Sequence, residues 1–109
     1  MPRRIVTPKV ASDLLKSPSC AIVLFRTTSC PHCIRLAKKV EDLLMADQTN
    51  IDVYDACPEL GTPIAFFEKF GFNTVPHLVL LQAGKIVSLK KKSECCDHLR
   101  IFINKALRQ

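Results

Sequence analysis

Four short hydrophobic segments of the chain are predicted to form strands. Cys20–Phe25 is a nearly continuous hydrophobic run. Such a run is typical of a strand that is buried on both faces at the centre of an α/β sheet. Residues 51–54 predict a second short strand. Residues 77–81 and 86–89, which Ala83-Gly84 separates, have the pattern of a β-hairpin.

The segment after Pro31 changes to helical periodicity. Its hydrophobic residues recur every three or four positions, and charged residues occupy the opposite side. The hydrophobic positions are Cys33, Leu36, Ala37, Val40, Leu43 and Leu44, and the charged positions are Arg35, Lys38, Lys39, Glu41 and Asp42. This pattern predicts an amphipathic helix of about four turns.

Three further helices are predicted from residues that start and stop helices. Thr7-Pro8 provides an N-cap followed by a proline at the first helical position. Thr62-Pro63 begins another helix, which stops at Gly71. Ser93 is the predicted N-cap of a last helix. The hydrophobic residues of these last two helices are Ile64, Phe67 and Phe70, and then Leu99, Phe102, Ile103, Ala106 and Leu107.

The predicted order is helix, strand, helix, strand, helix, strand, strand, helix. Crossover connections of this kind pack helices on both faces of a sheet, and the final hairpin adds antiparallel strands. We therefore expect one α/β domain over residues 1–109, a three-layer sandwich with a central mixed sheet of about four strands.

Composition supports a single domain and limits its partners. The 109 residues are 48% hydrophobic, which is enough for one domain with its own core. Sixteen Lys and Arg against ten Asp and Glu give a net charge of +6, which favours anionic partners without naming one. Aromatic residues do not interleave with the basic ones, so no nucleic-acid partner is expected.

The N-terminal segment lacks the pattern of a signal peptide. Its start is basic, but Pro8, Lys9, Asp13 and Lys16 interrupt any apolar stretch. The longest apolar run, Cys20–Phe25, is too short to cross a bilayer. We therefore expect no membrane-spanning segment. The expected location is cytosolic or nuclear, and the cytoplasm is the prediction.

The six cysteines indicate cysteine chemistry and not a disulfide scaffold. A small secreted chain with six cysteines would allow fifteen pairings. Here the hydrophobic content is that of an ordinary domain, and three glycines are too few for a fold dominated by loops.

Cys30-Pro31-His32-Cys33 lies where the first strand meets the amphipathic helix. Two cysteines at this spacing can close a disulfide across one helical turn. The helix dipole and the unpaired N–H groups of the first turn favour the thiolate of Cys30, which is the nucleophile of disulfide exchange. Pro31 suits the first turn because it has no N–H. His32, when protonated, would stabilise the reduced state further and make the pair a stronger oxidant.

Three features together resemble the thioredoxin superfamily. They are the strand that leads into Cys30-Pro31-His32-Cys33, the tripeptide Thr74-Val75-Pro76 that opens the hairpin, and the strand–strand–helix ending. A CxxC motif alone is also found in zinc knuckles, whereas CxxC after a strand with a later TVP before a hairpin is specific. The resemblance covers essentially the whole chain and implies a thioredoxin-like sandwich.

The resemblance also implies a function and roles for individual residues. Cys30 would attack a substrate disulfide, Cys33 would resolve the mixed disulfide, and the pair would form one reversible disulfide. The peptide bond before Pro76 is expected to be cis, and the backbone of Val75 is expected to pair with a bound substrate chain. His77 would lie near the dithiol, either as a structural strand residue or as a group that handles protons.

The expected activity is therefore that of a thiol–disulfide oxidoreductase acting on protein thiols and disulfides. Its electron partner would be a thiol reductase or oxidase, and no bound cofactor is expected. The Pro31-His32 pair resembles that of bacterial periplasmic disulfide oxidases and predicts an oxidising potential. Ser29 and Leu24 stand where thioredoxins proper have a tryptophan and a buried aspartate.

Two alternative functions stay open. Arg26, Thr27-Thr28-Ser29 and the TVP tripeptide resemble glutaredoxins, which would make glutathione a co-substrate, although Lys91-Lys92 replaces their Gly-Gly pair. The second alternative is a non-catalytic interaction module of the same fold.

The CxxC motif and the other four cysteines also allow alternatives to a redox pair, among them a metal site. A zinc site at the CxxC motif would need ligands from Cys57 or from residues 95–98, whose spacing is not that of a zinc knuckle, so no metal site is predicted. An iron–sulfur cluster between two copies is a further alternative. Cys20 is expected at a strand edge or in the core, and Cys57 in a loop where it could be exposed. Cys95 and Cys96 are expected to be reduced, with a regulatory disulfide as the alternative.

Overall fold

A computed structural model of the chain describes residues 4–46, 51–91 and 104. Its elements are β1 (Arg4–Ile5), α1 (Pro8–Lys16), β2 (Cys20–Phe25), α2 (Pro31–Ala46), β3 (Asp52–Ala56), α3 (Ile64–Lys69), β4 (His77–Gln82) and β5 (Lys85–Lys91), with a short 3₁₀ helix at Pro58–Leu60. Among the described residues, Asn104 alone belongs to the helix predicted to begin at Ser93, and it is helical; the other residues of that prediction lie outside the described part of the chain.

The five strands form one mixed sheet in the order β1-β3-β2-β4-β5. β3 runs parallel to β1 and to β2, whereas β4 runs antiparallel to β2 and to β5. At the end of β2, Phe25 pairs with Ala56 on one side and with His77 on the other. The segments that follow β2 and β3 and the segment that precedes β4 therefore meet at one edge of the sheet.

Side chains of the central strand β2 alternate between two hydrophobic cores, as the two-residue period of a strand requires. On one face, Ile22 and Leu24 belong to a cluster that includes Leu36, Ala37, Val40 and Leu43 of α2. On the other face, Val23 and Phe25 belong to a cluster that includes Ala11 and Leu14 of α1 and Phe66 of α3. Helices therefore cover both faces of β2, which explains its continuous hydrophobic sequence.

The predicted α/β class and mixed sheet are confirmed, but the predicted strand number is wrong: the sheet has five strands, not four. The additional strand, β1, has two residues, too few to show a periodic pattern. It pairs with β3 by placing Arg4 opposite Tyr54. The Arg4 guanidinium lies 4.9 Å from the centroid of the Tyr54 ring and also donates a hydrogen bond to its hydroxyl. These long-range contacts define the strand.

The ring of Phe25 anchors α3 and the turn after it to the end of β2. It lies 4.7–5.8 Å, between centroids, from four other rings: Phe66, Phe67, Phe70 and Phe72. Ile64 at the start of α3 is 65% exposed, and Phe66 takes the buried position. The same aromatic cluster therefore holds the last residue of β2 and the helix beside it.

Replacing Phe25 with Ala should destabilise the fold strongly, because it removes a fully buried ring from this cluster. The expected loss is about 3–5 kcal/mol in the free energy of unfolding, measured by urea denaturation. The exposed Ile64 provides the control, and Ile64→Ala should change stability by no more than about 0.5 kcal/mol. Equal effects of the two substitutions would contradict this account of the core.

Candidate active site

Cys30 and Cys33 form a disulfide across the first turn of α2, with a Cα–Cα distance of 5.2 Å. The two sulfurs differ in access, because Cys30 is half-buried whereas Cys33 is completely buried. An attacking reagent or substrate would therefore meet Cys30 first. This difference in access matches the expected roles of attacking and resolving thiol.

Cys30 occupies the N-cap position of α2. The first helical hydrogen bond runs from the N–H of Ile34 to the carbonyl of Cys30, at 3.2 Å. Pro31 follows at the first helical position, where a missing N–H costs nothing. The N–H of Cys33 donates to Cys30 Sγ at 3.1 Å. The sulfur thus takes the place of the oxygen of a serine or aspartate cap.

This arrangement can stabilise negative charge on Cys30 Sγ. A charged acceptor strengthens the hydrogen bond from the Cys33 N–H, and the positive end of the helix dipole acts on the same atom. The thiolate of Cys30 would keep a donor that is already in place. The local backbone therefore favours the reactive form of this cysteine.

His32 is exposed, and its Nδ1 lies 2.7 Å from the guanidinium of Arg35. A guanidinium can only donate, so Nδ1 is the acceptor in this contact. The permanent positive charge on this turn belongs to Arg35. The tuning of the redox pair by Pro31 and His32 stays a prediction.

The TVP tripeptide lies at the start of β4. The peptide bond between Val75 and Pro76 is cis, as the resemblance implies. Pro76 is buried and Val75 is half-buried. Because His77 pairs with Phe25, this tripeptide and the segment that leads to Cys30 lie at the same edge of the sheet.

His77 is buried and held by two contacts. Its ring stacks on Phe72, with centroids 4.3 Å apart, and its Nε2 lies 3.0 Å from the hydroxyl of Thr74. These contacts fit the interpretation of His77 as a structural strand residue. A role in proton transfer stays a prediction.

An apolar groove of about 320 Å³ lies beside the TVP tripeptide. Its lining includes Thr27, Ile64, Phe67, Phe72, Thr74 and Val75. The groove therefore extends from Thr27, which lies shortly before the dithiol, to Val75, whose backbone is expected to pair with a substrate.

A buried ion pair at this edge was not predicted. Arg26 donates to Asp55 Oδ2 at 3.1 Å, with side chains only 14% and 4% exposed. Asp55 lies directly opposite Leu24, the buried residue that the resemblance places at the position of the thioredoxin aspartate. A carboxylate is thus present one strand away, with a cation beside it. The sequence signal for this carboxylate is Asp55, an acidic residue that directly follows Val53 and Tyr54 in the strand.

Glu59 is the second group that the sequence analysis missed. Its Oε1 accepts the N–H of Thr28 at 2.9 Å, and its Oε2 accepts the Thr28 hydroxyl at 2.6 Å. These hydrogen bonds, first that of the hydroxyl and then that of the N–H, lower the pKa of Glu59 from its ordinary value of 4.5. Weaker lowering effects come from the Cys57 thiol and the charge of Arg26, while burial acts in the opposite direction.

The remaining cysteines differ in position and access. Cys57 lies in a loop, as expected, but it is completely buried there and not exposed. It lies directly after β3, and its backbone is bonded to the turn that follows. Cys20 is half-buried and begins β2, at the end of the strand far from the dithiol. Cys95 and Cys96 lie outside the described residues.

No cluster of three or more metal-ligating side chains occurs among residues 4–46 and 51–91. Within the same part of the chain, no helix has the length and apolar character needed to cross a membrane. No family model matches the chain, and no curated protein matches it with significance.

Replacing Glu59 with Gln should reveal a pH-dependent contribution to stability. A carboxyl whose pKa is lowered by folding stabilises the fold at pH values above its unfolded pKa, and this effect disappears as the pH falls through the folded pKa. The melting temperature of Glu59→Gln should therefore be lower than that of the parent at about pH 7. The two melting temperatures should converge as the pH falls below 4.5, the ordinary pKa of the group.

The Thr28 hydroxyl supplies the largest lowering effect, so the pH-dependent difference should shrink when Glu59→Gln is made in a Thr28→Val chain. A difference in melting temperature that stays constant between about pH 7 and about pH 3 would contradict the assignment.

Proposed function

We propose that this protein is a thiol–disulfide oxidoreductase of thioredoxin-like fold, which exchanges disulfides with protein substrates through Cys30 and Cys33. The observation that carries the proposal is the half-buried residue Cys30 at the N-cap of α2, whose sulfur is bonded to the buried Cys33 and accepts its N–H. A structural disulfide would not require a partly exposed cysteine at the positive end of a helix.

The reaction would proceed in two exchanges. The Cys30 thiolate attacks one sulfur of a substrate disulfide, forming a mixed disulfide and releasing the other substrate sulfur as a thiolate, which takes a proton from water. Cys33 then loses its proton and attacks Cys30 Sγ, which releases the second substrate thiolate and closes the Cys30–Cys33 disulfide. Two electrons pass from the protein dithiol to the substrate, and the reverse sequence oxidises a substrate dithiol.

The groove beside Thr74 and Val75 would receive the substrate chain. Its walls are largely apolar and would contact side chains on either side of the reacting cysteine. The backbone of Val75 would pair with an extended substrate segment, with Pro76 shaping the groove and His77 behind it. These roles are supported by the common position of the tripeptide and the dithiol segment at one edge of the sheet.

The direction of net electron flow follows from what surrounds the two sulfurs. Stabilising the Cys30 thiolate stabilises the reduced pair and makes the disulfide more oxidising. Leu24 provides no carboxylate to accept the proton of Cys33, and the carboxylate of Asp55, opposite Leu24, is paired with Arg26. We therefore propose a pair that accepts electrons from protein dithiols in the cytoplasm and passes them to a separate thiol oxidoreductase.

Replacing Cys30 with Ser should abolish disulfide exchange, because it removes the attacking sulfur. Cys33→Ser should instead accumulate a mixed disulfide, because the resolving thiol is absent. Reduction of insulin disulfides by the prereduced protein measures the first effect, and non-reducing electrophoresis with mass spectrometry detects the second. Cys20→Ser is the matched control and should retain the parent rate, since Cys20 lies at the opposite end of β2.

Activity that persists in Cys30→Ser would overturn this function. Repeating the reaction with glutathione and with dithiothreitol as reductants tests the alternative, since turnover with glutathione alone would assign it as a co-substrate. Absence of exchange in the parent, together with partner binding that survives both cysteine substitutions, would assign the chain to interaction modules.

A further inference from the structure

The segment that carries Cys30 from β2 to α2, residues 26–30, is here called the dithiol loop. Its first residue is fixed to β3, because the N–H of Arg26 donates to the carbonyl of Ala56 at 3.0 Å. Its third residue, Thr28, makes two hydrogen bonds to Glu59, one from the backbone and one from the hydroxyl. Thr28 and Glu59 are both exposed, and Thr28 lies two residues before Cys30.

Glu59 is presented by a closely bonded turn, residues 57–62, here called the platform turn. The carbonyl of Cys57 accepts the N–H groups of Leu60 and Thr62 at 3.0 and 3.1 Å, and the N–H of Cys57 donates to the Thr62 hydroxyl at 2.8 Å. Gly61 has a φ of 118°, a conformation open to glycine but strained for other residues. The buried Cys57 and Thr62 join this turn to the protein interior.

We infer that Glu59 is a positioning residue for Cys30, which through its two hydrogen bonds to Thr28 fixes the dithiol loop against the platform turn. This inference rests on the proposed function only where it concerns the rate of disulfide exchange. The position of Cys30 Sγ, 3.1 Å from the backbone nitrogen of Cys33, is an observation that does not depend on that function.

The position of the dithiol loop matters because the N–H of Cys33 stabilises the Cys30 thiolate only over a short distance. A hydrogen bond weakens steeply when its length or angle departs from the optimum. If Thr28 were released, Cys30 would sample positions in which Sγ no longer meets the Cys33 N–H. The thiolate would then be less stable, and Cys30 would react more slowly at neutral pH.

Alkylation of Cys30 by iodoacetamide measures this effect without any substrate protein. In a Cys33→Ser chain, the tryptic peptide over residues 27–35 contains Cys30 as its single cysteine, so mass spectrometry reports its reaction alone. Glu59→Ala should slow alkylation at neutral pH severalfold, because a smaller fraction of Cys30 would be thiolate. The midpoint of its pH–rate profile should also move to higher pH.

Conservative variants distinguish a role of Glu59 in positioning Cys30 from a general effect of Glu59 on the stability of the fold. Glu59→Gln should retain most of the rate, because its amide oxygen can accept the Thr28 N–H and its NH₂ can donate to the hydroxyl. Thr28→Ser should likewise retain the rate, whereas Thr28→Val should lower it. Asp42→Ala is the matched control on α2, since it removes an exposed carboxylate bonded to Lys38 and leaves the dithiol loop intact.

A Glu59→Ala chain that unfolds at a lower temperature but keeps the parent alkylation rate and pH–rate profile would overturn the inference. So would an equal loss of rate in Glu59→Ala and Asp42→Ala. Insulin reduction by the corresponding chains with Cys33 intact provides the second measurement. If the parent neither reduces insulin nor oxidises the thiols of a reduced protein, the proposed function fails, while the alkylation rates still decide the role of Glu59.

Discussion

The hydrogen bond from the N–H of Cys33 to Cys30 Sγ is the interaction on which the site depends. It exists because a loop of five residues joins the end of β2 to α2, and α2 starts with a proline that leaves the Cys30 sulfur in the capping position. Burial of Leu36, Ala37 and Val40 against the sheet fixes the direction of that helix. The chemistry of Cys30 is therefore a consequence of where the hydrophobic core puts a helix N-terminus.

Two polar contacts hold the segment that leads from β2 to Cys30. They come from β3 and from the turn that follows it. Arg26 is joined to Asp55, and Thr28 is joined to Glu59. Both contacts cross from the end of β2 to the chain that follows β3. Asp55 is paired with the Arg26 guanidinium, whereas the Glu59 carboxylate accepts both of its hydrogen bonds from Thr28. These contacts fix the loop that leads to Cys30.

The parts of the fold that could be predicted are those with local signals. The unbroken hydrophobic run of β2, the periodicity of α2 and the hairpin turn at Ala83-Gly84 each lie within one segment, and CxxC at a strand–helix junction is equally local. Strand β1 has two residues and no period. The partners of Arg26 and Thr28 lie 29 and 31 residues away, so they become neighbours only when β2 pairs with β3. The same pairing buries Cys57, which no local pattern reveals.

A reversible and oxidising Cys30–Cys33 couple would have a potential that can be measured. Equilibration of the purified protein in glutathione buffers of graded composition, with the peptide over residues 27–35 analysed after acid quenching and alkylation, measures its potential directly. We expect a two-electron transition at a potential above about −270 mV, the value typical of thioredoxin. A potential at or below that value would contradict the oxidising assignment, and a disulfide that does not exchange with glutathione would contradict the redox function itself.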